Sequence, residues 1–427
     1  MKAKFLFLSF LFFSFAFSQK ADDYALVRCN EKLIEVIIED IFSPPLASRV
    51  HVYPNLTAYE ILSKRHPQLP SLRNKLVNFP FIAPPKKPID FTLAAIKGFC
   101  IMAKKLVYSE HKIIAFENKE IENWLLVHPD SVLLNNSIEY AQEVSNKIID
   151  YLNTDNYNYT RTLMRYELID HPSKWRPTPP EYMNALEPNW KFMRSFFFDS
   201  TNEIHVAPDI PYSEYKNSTY YKNAQTLYQV AANLNATQKQ IAYFWDDNPN
   251  TAVSNGHMTY FIHKATPGGH WIRIAGQAIK HYRYNEASIA QVYALLTLGI
   301  YEGFLSCWKE KYRSNAVRPE TYINMMIDPT FKPLIETPPF PEYTSGHSVV
   351  SGAASSILFN LFPKNYAYAD SSELEYGIQP RHFNGFIEAA KEASISRYYG
   401  GIHFMPSLQN GLIQGGAIGH YIFYTLK

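Results

Sequence analysis

The sequence predicts an all-α fold, helical bundles joined by long proline-rich loops, and three observations carry that prediction. Apolar residues recur at three- and four-residue spacing in several long segments. Period-two alternation is scarce, and hairpin signals are nearly absent, with Asn255-Gly256 the nearest to one. The 28 prolines gather in connectors, where a residue without an N–H does least damage to a helix. With 427 residues and a hydrophobic content of 46%, the chain can build one large or two ordinary domains around a substantial core. No internal repeat of fixed period is present.

At the start of the chain, Lys2 and Lys4 precede the apolar run from Phe5 to Phe17, and Ala16-Phe17-Ser18 offers small residues at the cleavage positions. Residues 1–18 therefore read as a secretory signal peptide, and the mature protein is expected to be exported, periplasmic or secreted. The apolar run is too short to span a bilayer, and no transmembrane anchor is expected. Residues 19–220 are expected to form an N-terminal helical region, with helices at Leu33 to Phe42, Thr92 to Leu106 and Ser137 to Leu152. Breaks are expected at Pro44 and Pro80, and Ala83-Pro-Pro-Lys-Lys-Pro88 is a connector. Two more proline clusters, at 175–180 and 207–211, stop helices without creating strands.

Residues 221–427 are expected to form a C-terminal helical bundle. Its helices are predicted at Gln240 to Trp245, capped by Thr237, then His270 to Tyr282, Asn285 to Lys311, and Val349 to Leu361. Between Leu408 and Tyr424, Gly411, Gly415 and Gly419 bare one helix face for close packing.

The charge balance is +2, and loss of Lys2 and Lys4 with the signal peptide leaves the mature chain close to neutral. Without a long basic tract, no nucleic-acid partner is expected. Cys29, Cys100 and Cys307 are too few and too scattered for a disulfide framework or a zinc site, although one pair can form under oxidising conditions. Sequons at Asn55, Asn135, Asn158, Asn217 and Asn235 suit an exported surface.

Chemistry gathers in three C-terminal segments. Lys311 and Arg318-Pro319 follow the end of a long apolar helix. Thr344-Ser345-Gly346-His347 opens the next one, where Thr344 or Ser345 can cap and the first N–H groups stay free. Ser396-Arg397 ends a further helix, and Gly400-Gly401 separate it from His403. Brought together, two arginines, a lysine, two histidines and a Ser-Gly helix start form a cradle for a tetrahedral oxyanion.

The order and spacing of these segments, Lys311-x6-Arg318-Pro319, Ser345-Gly346-His347 and Ser396-Arg397-x5-His403, resemble a three-part signature. It is shared by type 2 phosphatidic acid phosphatases, bacterial non-specific acid phosphatases and vanadium-dependent haloperoxidases. Trp308-Lys-Glu-Lys311, Pro338-Pro-Phe340-Pro and Tyr399-Gly-Gly-Ile-His403 are similar to the haloperoxidase branch, and the likeness runs more weakly back to Trp175.

This resemblance implies that Lys311, Arg318, Ser345, Gly346 and Arg397 hold the oxygens of vanadate, and that phosphate can occupy the same site. It implies His403 as the ligand to vanadium, His347 as the acid-base group, and Lys311 as the residue that polarises bound peroxide. Trp308 and Phe340 match the halide side of the pocket in relatives. Asp246 or Asp247 is a candidate carboxylate for fixing an arginine, the alternative being a surface position at a helix end. Two positions depart from the pattern, Thr344 for proline and Ser407 for the aspartate that would orient His403.

The expected activity is a vanadate-dependent haloperoxidase that uses hydrogen peroxide to oxidise halide, with iodide or bromide favoured, and so modifies small organic acceptors. One alternative is an acid phosphatase in which His403 is the nucleophile. A non-catalytic oxyanion-binding protein is the other.

Overall fold

The structure, a computed structural model, describes residues 24–197, 204, 206–249, 251–255 and 258–427. The expected signal peptide lies outside them. Two helical bundles share one continuous apolar core that runs from Ala25 to Leu426. The first comprises α1 (Ala25–Glu39), α2 (Pro44–Ser63), α3 (Phe91–Leu106), α4 (Glu110–Val127) and α5 (Ser131–Leu152), with α3 packed on α2, α4 and α5. The short α6 (Tyr157–Thr162) leads into the long loop that ends at α7 (Thr219–Ala232), and α8 (Ala236–Phe244) follows. The domain boundary expected at 220/221 falls inside α7.

The second bundle is organised around α10 (Glu286–Ser314), which packs on α2 of the first bundle and on α12 (Gly346–Leu361) and α14 (Met405–Leu426) of its own. The helices α9 (Pro267–Tyr282), α11 (Pro319–Met326) and α13 (Phe386–Tyr399) complete it. By length and composition α10 could cross a membrane, yet 89% of its apolar window is buried inside the protein. It is the shared core helix.

The fold differs from the sequence expectation in several places, the first being the helix expected at Leu33 to Phe42, which begins eight residues earlier and runs Ala25–Glu39. Pro44 starts a helix instead of breaking one: Pro44 and Pro45 occupy the first turn of α2, where their missing N–H groups have no intrahelical partner to lose. The cap of α8 is Asn235, which forms a capping box with Gln238, and not Thr237. Thr251–Asn255 (β1) and Met258–Ile262 (β2) pair antiparallel with Asn255 opposite Met258, so the Asn255-Gly256 signal does mark a hairpin. A second short ribbon pairs Tyr368–Asp370 (β3) with Arg381–Phe383 (β4). The three cysteines are buried and unpaired.

The glycine face of α14 lies against α12. A Cβ at Gly415 would sit 1.9 Å from the Val349 carbonyl oxygen, and one at Gly419 would sit 2.4 Å from that of Ala353. Only glycine permits this approach, and it fixes the height of α12 in the bundle.

Candidate active site

Three chain segments bring the functional side chains to one end of the second bundle. The first turn of α12 is capped by Ser345, whose Oγ accepts from Ser348 N at 3.4 Å, while Thr344 Oγ1 donates to Gln414 on α14. Gly346 and His347 therefore begin the helix with their N–H groups unclaimed by the helix itself. Gly346 lies against Trp308, whose ring a Cβ would approach to 3.6 Å.

From the end of α10 comes Lys311, fully buried, with Nζ donating to the carbonyls of Pro341 (2.8 Å) and Glu342 (3.0 Å). Burial pulls this amine down to about 7. Arg318, the residue before α11, is also fully buried, and burial brings it down to about 10. Its Nε donates to Phe340 O at 2.7 Å, and its Nη1 donates to Ile402 O at 3.0 Å and to His403 Nε2 at 3.1 Å. The Phe340 ring lies 4.9 Å from Lys311 Nζ, from the Arg318 guanidinium carbon and from the Trp308 ring.

The third segment leaves α13. Arg397, at its last turn, donates from Nη1 to Trp245 O at 2.6 Å, so the open carbonyl end of α8 holds this cation. Asp246 Oδ1 is 3.8 Å from Arg397 Nη2. Burial lowers the guanidinium from its ordinary value, with Asp246 opposing. Gly401, at φ +80°, then turns the chain so that His403 faces back into the site.

His403 is buried, and both of its ring nitrogens are engaged. Nδ1 is 2.8 Å from Glu342 Oε1, and Nε2 accepts from Arg318. Ser407 Oγ lies farther off, 3.4 Å from Nδ1. Burial, with Arg318 and Lys311 adding to it, holds this imidazole well below its usual range, so it is neutral. His347 is held low in the same way by burial and by Arg397. The Trp245 carbonyl accepts a hydrogen bond from its ring, which leaves Nε2 buried and without a hydrogen bond among the described residues.

Asp246 and Asp247 are both buried, which excludes the surface alternative. Asp247 reaches 3.7 Å from His347 Nε2 with one oxygen, and 2.8 Å from His270 Nδ1 with the other. His270 Nε2 is in turn 2.9 Å from Asp370 Oδ2, and its ring stacks on Trp245 at 4.5 Å. Burial lowers His270, but the two carboxylates outweigh it and hold the ring well above its ordinary value, as an imidazolium. Asp247, His270 and Glu373 present ligand-type atoms within 4.8 Å of one another. Both His270 nitrogens donate, however, so the ring keeps no lone pair for a cation.

A cavity of about 140 Å³ opens onto these groups. Its polar end is Asp246, Asp247, Gly346, His347, Arg397 and His403, and its walls include Trp308, Phe340, Phe304 and Leu186. Ile41, Ser43 and Pro44 of the first bundle also line it. Lys311, Arg318, Ser345 and Ser407 are not on its surface and stand behind the floor. The arrangement fits an oxyanion: two buried guanidinium groups and the Lys311 amine converge, and Arg397 Nε and His347 Nε2 are buried polar atoms without a hydrogen bond among the described residues. Sequence reasoning missed Glu342 and His270. An acidic residue inside the apolar stretch 338–343 was the available signal for the first; the second lies in Pro267-Gly-Gly-His-Trp271, part of the weaker upstream likeness, which gave it no role.

Residues 291–427 match the family model described as the VCPO second helical-bundle domain. No curated protein sequence matches the chain. Among solved structures, the first bacterial vanadium-dependent iodoperoxidase is 38% identical, with 95% of this chain and 97% of that one covered and a TM-score of 0.89. The holo form of a bacterial vanadium-dependent chloroperoxidase is 15% identical over 93% and 95% of the two chains, with a TM-score of 0.68. Its apo form is 16% identical over 90% and 95%, with a TM-score of 0.65, and these two attest the fold alone. At 38% identity over nearly the full length of both chains, with the three motif segments folded onto one oxyanion-shaped floor, this protein belongs to the vanadium-dependent haloperoxidase family.

Proposed function

We propose that this chain is an exported haloperoxidase that binds vanadate and uses hydrogen peroxide to oxidise iodide or bromide, delivering oxidised halogen to small organic acceptors. The observation that carries the reading is the floor of the cavity, where Arg397, His347 and His403 line the space with Lys311 and Arg318 behind them, and where Arg397 Nε and His347 Nε2 make no hydrogen bond among the described residues. When bound there, vanadate supplies a Lewis-acid centre at which peroxide becomes electrophilic toward halide.

The chain's own residues do the rest. Arg318, Arg397 and Lys311 neutralise the anion, and the first-turn N–H groups of Gly346 and His347, with the Ser345 hydroxyl, hold its oxygens. His403 Nε2 is the ligand, and His347 takes up and returns protons at Nε2. The apolar walls around Trp308 and Phe340 exclude water and admit an organic acceptor. Similarity to an iodoperoxidase supports the preference for iodide or bromide.

The full chain, reconstituted with orthovanadate, is expected to oxidise iodide and bromide in the presence of peroxide and to lose this activity in His403→Ala. Hydrolysis of p-nitrophenyl phosphate with no turnover of any halide would replace the reading with a phosphatase. Retention of full activity in His403→Ala would remove His403 from the site.

A further inference from the structure

We infer that Glu342 is the positioning carboxylate of this site, holding His403 with its proton on Nδ1 and so keeping Nε2 unprotonated and able to act as a ligand, in the role that Ser407 is too weak and too distant to fill. The inference rests on the assignment of His403 as the ligand, and concerns what fixes that ring.

The hydrogen-bond pattern settles the tautomer without reference to charge. Arg318 Nη1 can only donate, so His403 Nε2, 3.1 Å away, is an acceptor. With Nε2 accepting, the ring proton is on Nδ1, which faces Glu342 Oε1 at 2.8 Å. That same oxygen accepts from the backbone N–H of Phe404 at 3.0 Å. A carboxyl oxygen that receives two N–H donors stays an acceptor even if a proton resides on its other oxygen. Glu342 thus enforces the ligand tautomer in either charge state. Ser407 Oγ, at 3.4 Å, is at the limit of a hydrogen bond, and a hydroxyl is a weaker acceptor than a carboxylate.

Glu342 also joins the first motif segment through its main chain. Its N–H donates to Ala316 O at 3.0 Å, and its C=O accepts from Lys311 Nζ at 3.0 Å. One buried residue on the loop that leads into α12 therefore fixes a cation from the first segment and the imidazole from the third.

The test is calorimetric titration of orthovanadate into the metal-free full chain and its variants, together with the imidazole nitrogen-15 NMR spectrum of the metal-free protein, in which His403 is assigned by comparison with His403→Gln. Glu342→Ala is expected to weaken vanadate binding by roughly 10- to 100-fold, the usual effect of losing the partner of a ligating histidine. It should also collapse the Nδ1–H signature of His403. Glu342→Gln keeps an acceptor oxygen and should bind within a few fold of wild type, and Ser407→Ala should do likewise.

The decisive variant is Glu342→Ala/Ser407→Asp, in which a carboxylate returns to the same ring nitrogen from position 407. It is expected to restore both the affinity and the tautomer signature, an outcome a merely structural role for Glu342 would not give. Wild-type affinity in Glu342→Ala, or a loss in Ser407→Ala as large as in Glu342→Ala, overturns the inference. So does a double variant that folds with a wild-type melting temperature but does not recover. If Glu342→Ala alone fails to fold, the double variant and Glu342→Gln still decide. Wild-type protein that binds no vanadate would instead overturn the ligand assignment, and the NMR tautomer of His403 would still judge Glu342.

Discussion

His51 lies in the middle of α2, fully buried, with neither ring nitrogen in a hydrogen bond among the described residues. Burial depresses it to about 3, so it stays neutral at every working pH. A buried polar ring without partners costs stability, and His51→Leu should raise the unfolding free energy at pH 7 by about 1 kcal/mol. The acid limb offers a sharper reading. The unfolded chain takes up a proton on this residue near pH 6.5, whereas the folded chain does so only near 3. Its contribution is thus complete above 6.5 and is lost as pH falls toward 3, by about 1.4 kcal/mol for each unit within that window. Denaturant titrations between pH 7 and 4 should show His51→Leu losing less stability than wild type, and equal losses would sink the account. Lys311, Arg318, Ser345, Gly346, His347, Arg397 and His403 were legible because each belongs to a local spacing. Glu342 and His270 were not, because what gives them a role is a contact with His403 or with Asp247 and Asp370, across tens to a hundred residues.

The α12 and α14 pair couples packing to chemistry, because the helix held by the glycine seam is the one whose first turn faces the cavity. Gly415→Ala would force a methyl group into the Val349 carbonyl and push the helices apart. A loss of several kcal/mol is expected, at the upper end of overpacking effects, together with weaker vanadate binding. Gly416, one residue on, has nothing within 4 Å of an added Cβ, and Gly416→Ala should stabilise by about 0.5–1 kcal/mol through helix propensity. Thermal unfolding of the two variants compares the seam with its neighbour, and similar shifts would refute the seam. The glycine spacing was visible in the sequence. α2 was not, since every residue from Ala47 to Leu62 is buried, and a helix covered on all sides shows no apolar stripe for periodicity to detect. Its proline start concealed it further.

Two bundles contribute to a single cavity, with Ile41, Ser43 and Pro44 from one and Trp308, Phe340 and the polar floor from the other. The all-α class could be read from the sequence because it follows from periodicity summed over many segments. How the bundles meet could not, because α2 and α10 are matched only in space.

The burial of all three thiols has a further meaning for a protein that generates oxidised halogen at its own surface. Thiols and thioethers are the first casualties of such a product, and a free cysteine at the mouth would be consumed within early turnovers. Cys29, Cys100 and Cys307 are each no more than 1% exposed, whereas Met164 is 78% exposed and Met325 47%. After prolonged turnover with peroxide and bromide, peptide mass mapping should find sulfoxide at Met164 and Met325 while the three cysteines remain reduced. Cysteine oxidation in still-folded enzyme before any methionine changes would contradict this. The thiols then last for as long as the core around them stays closed.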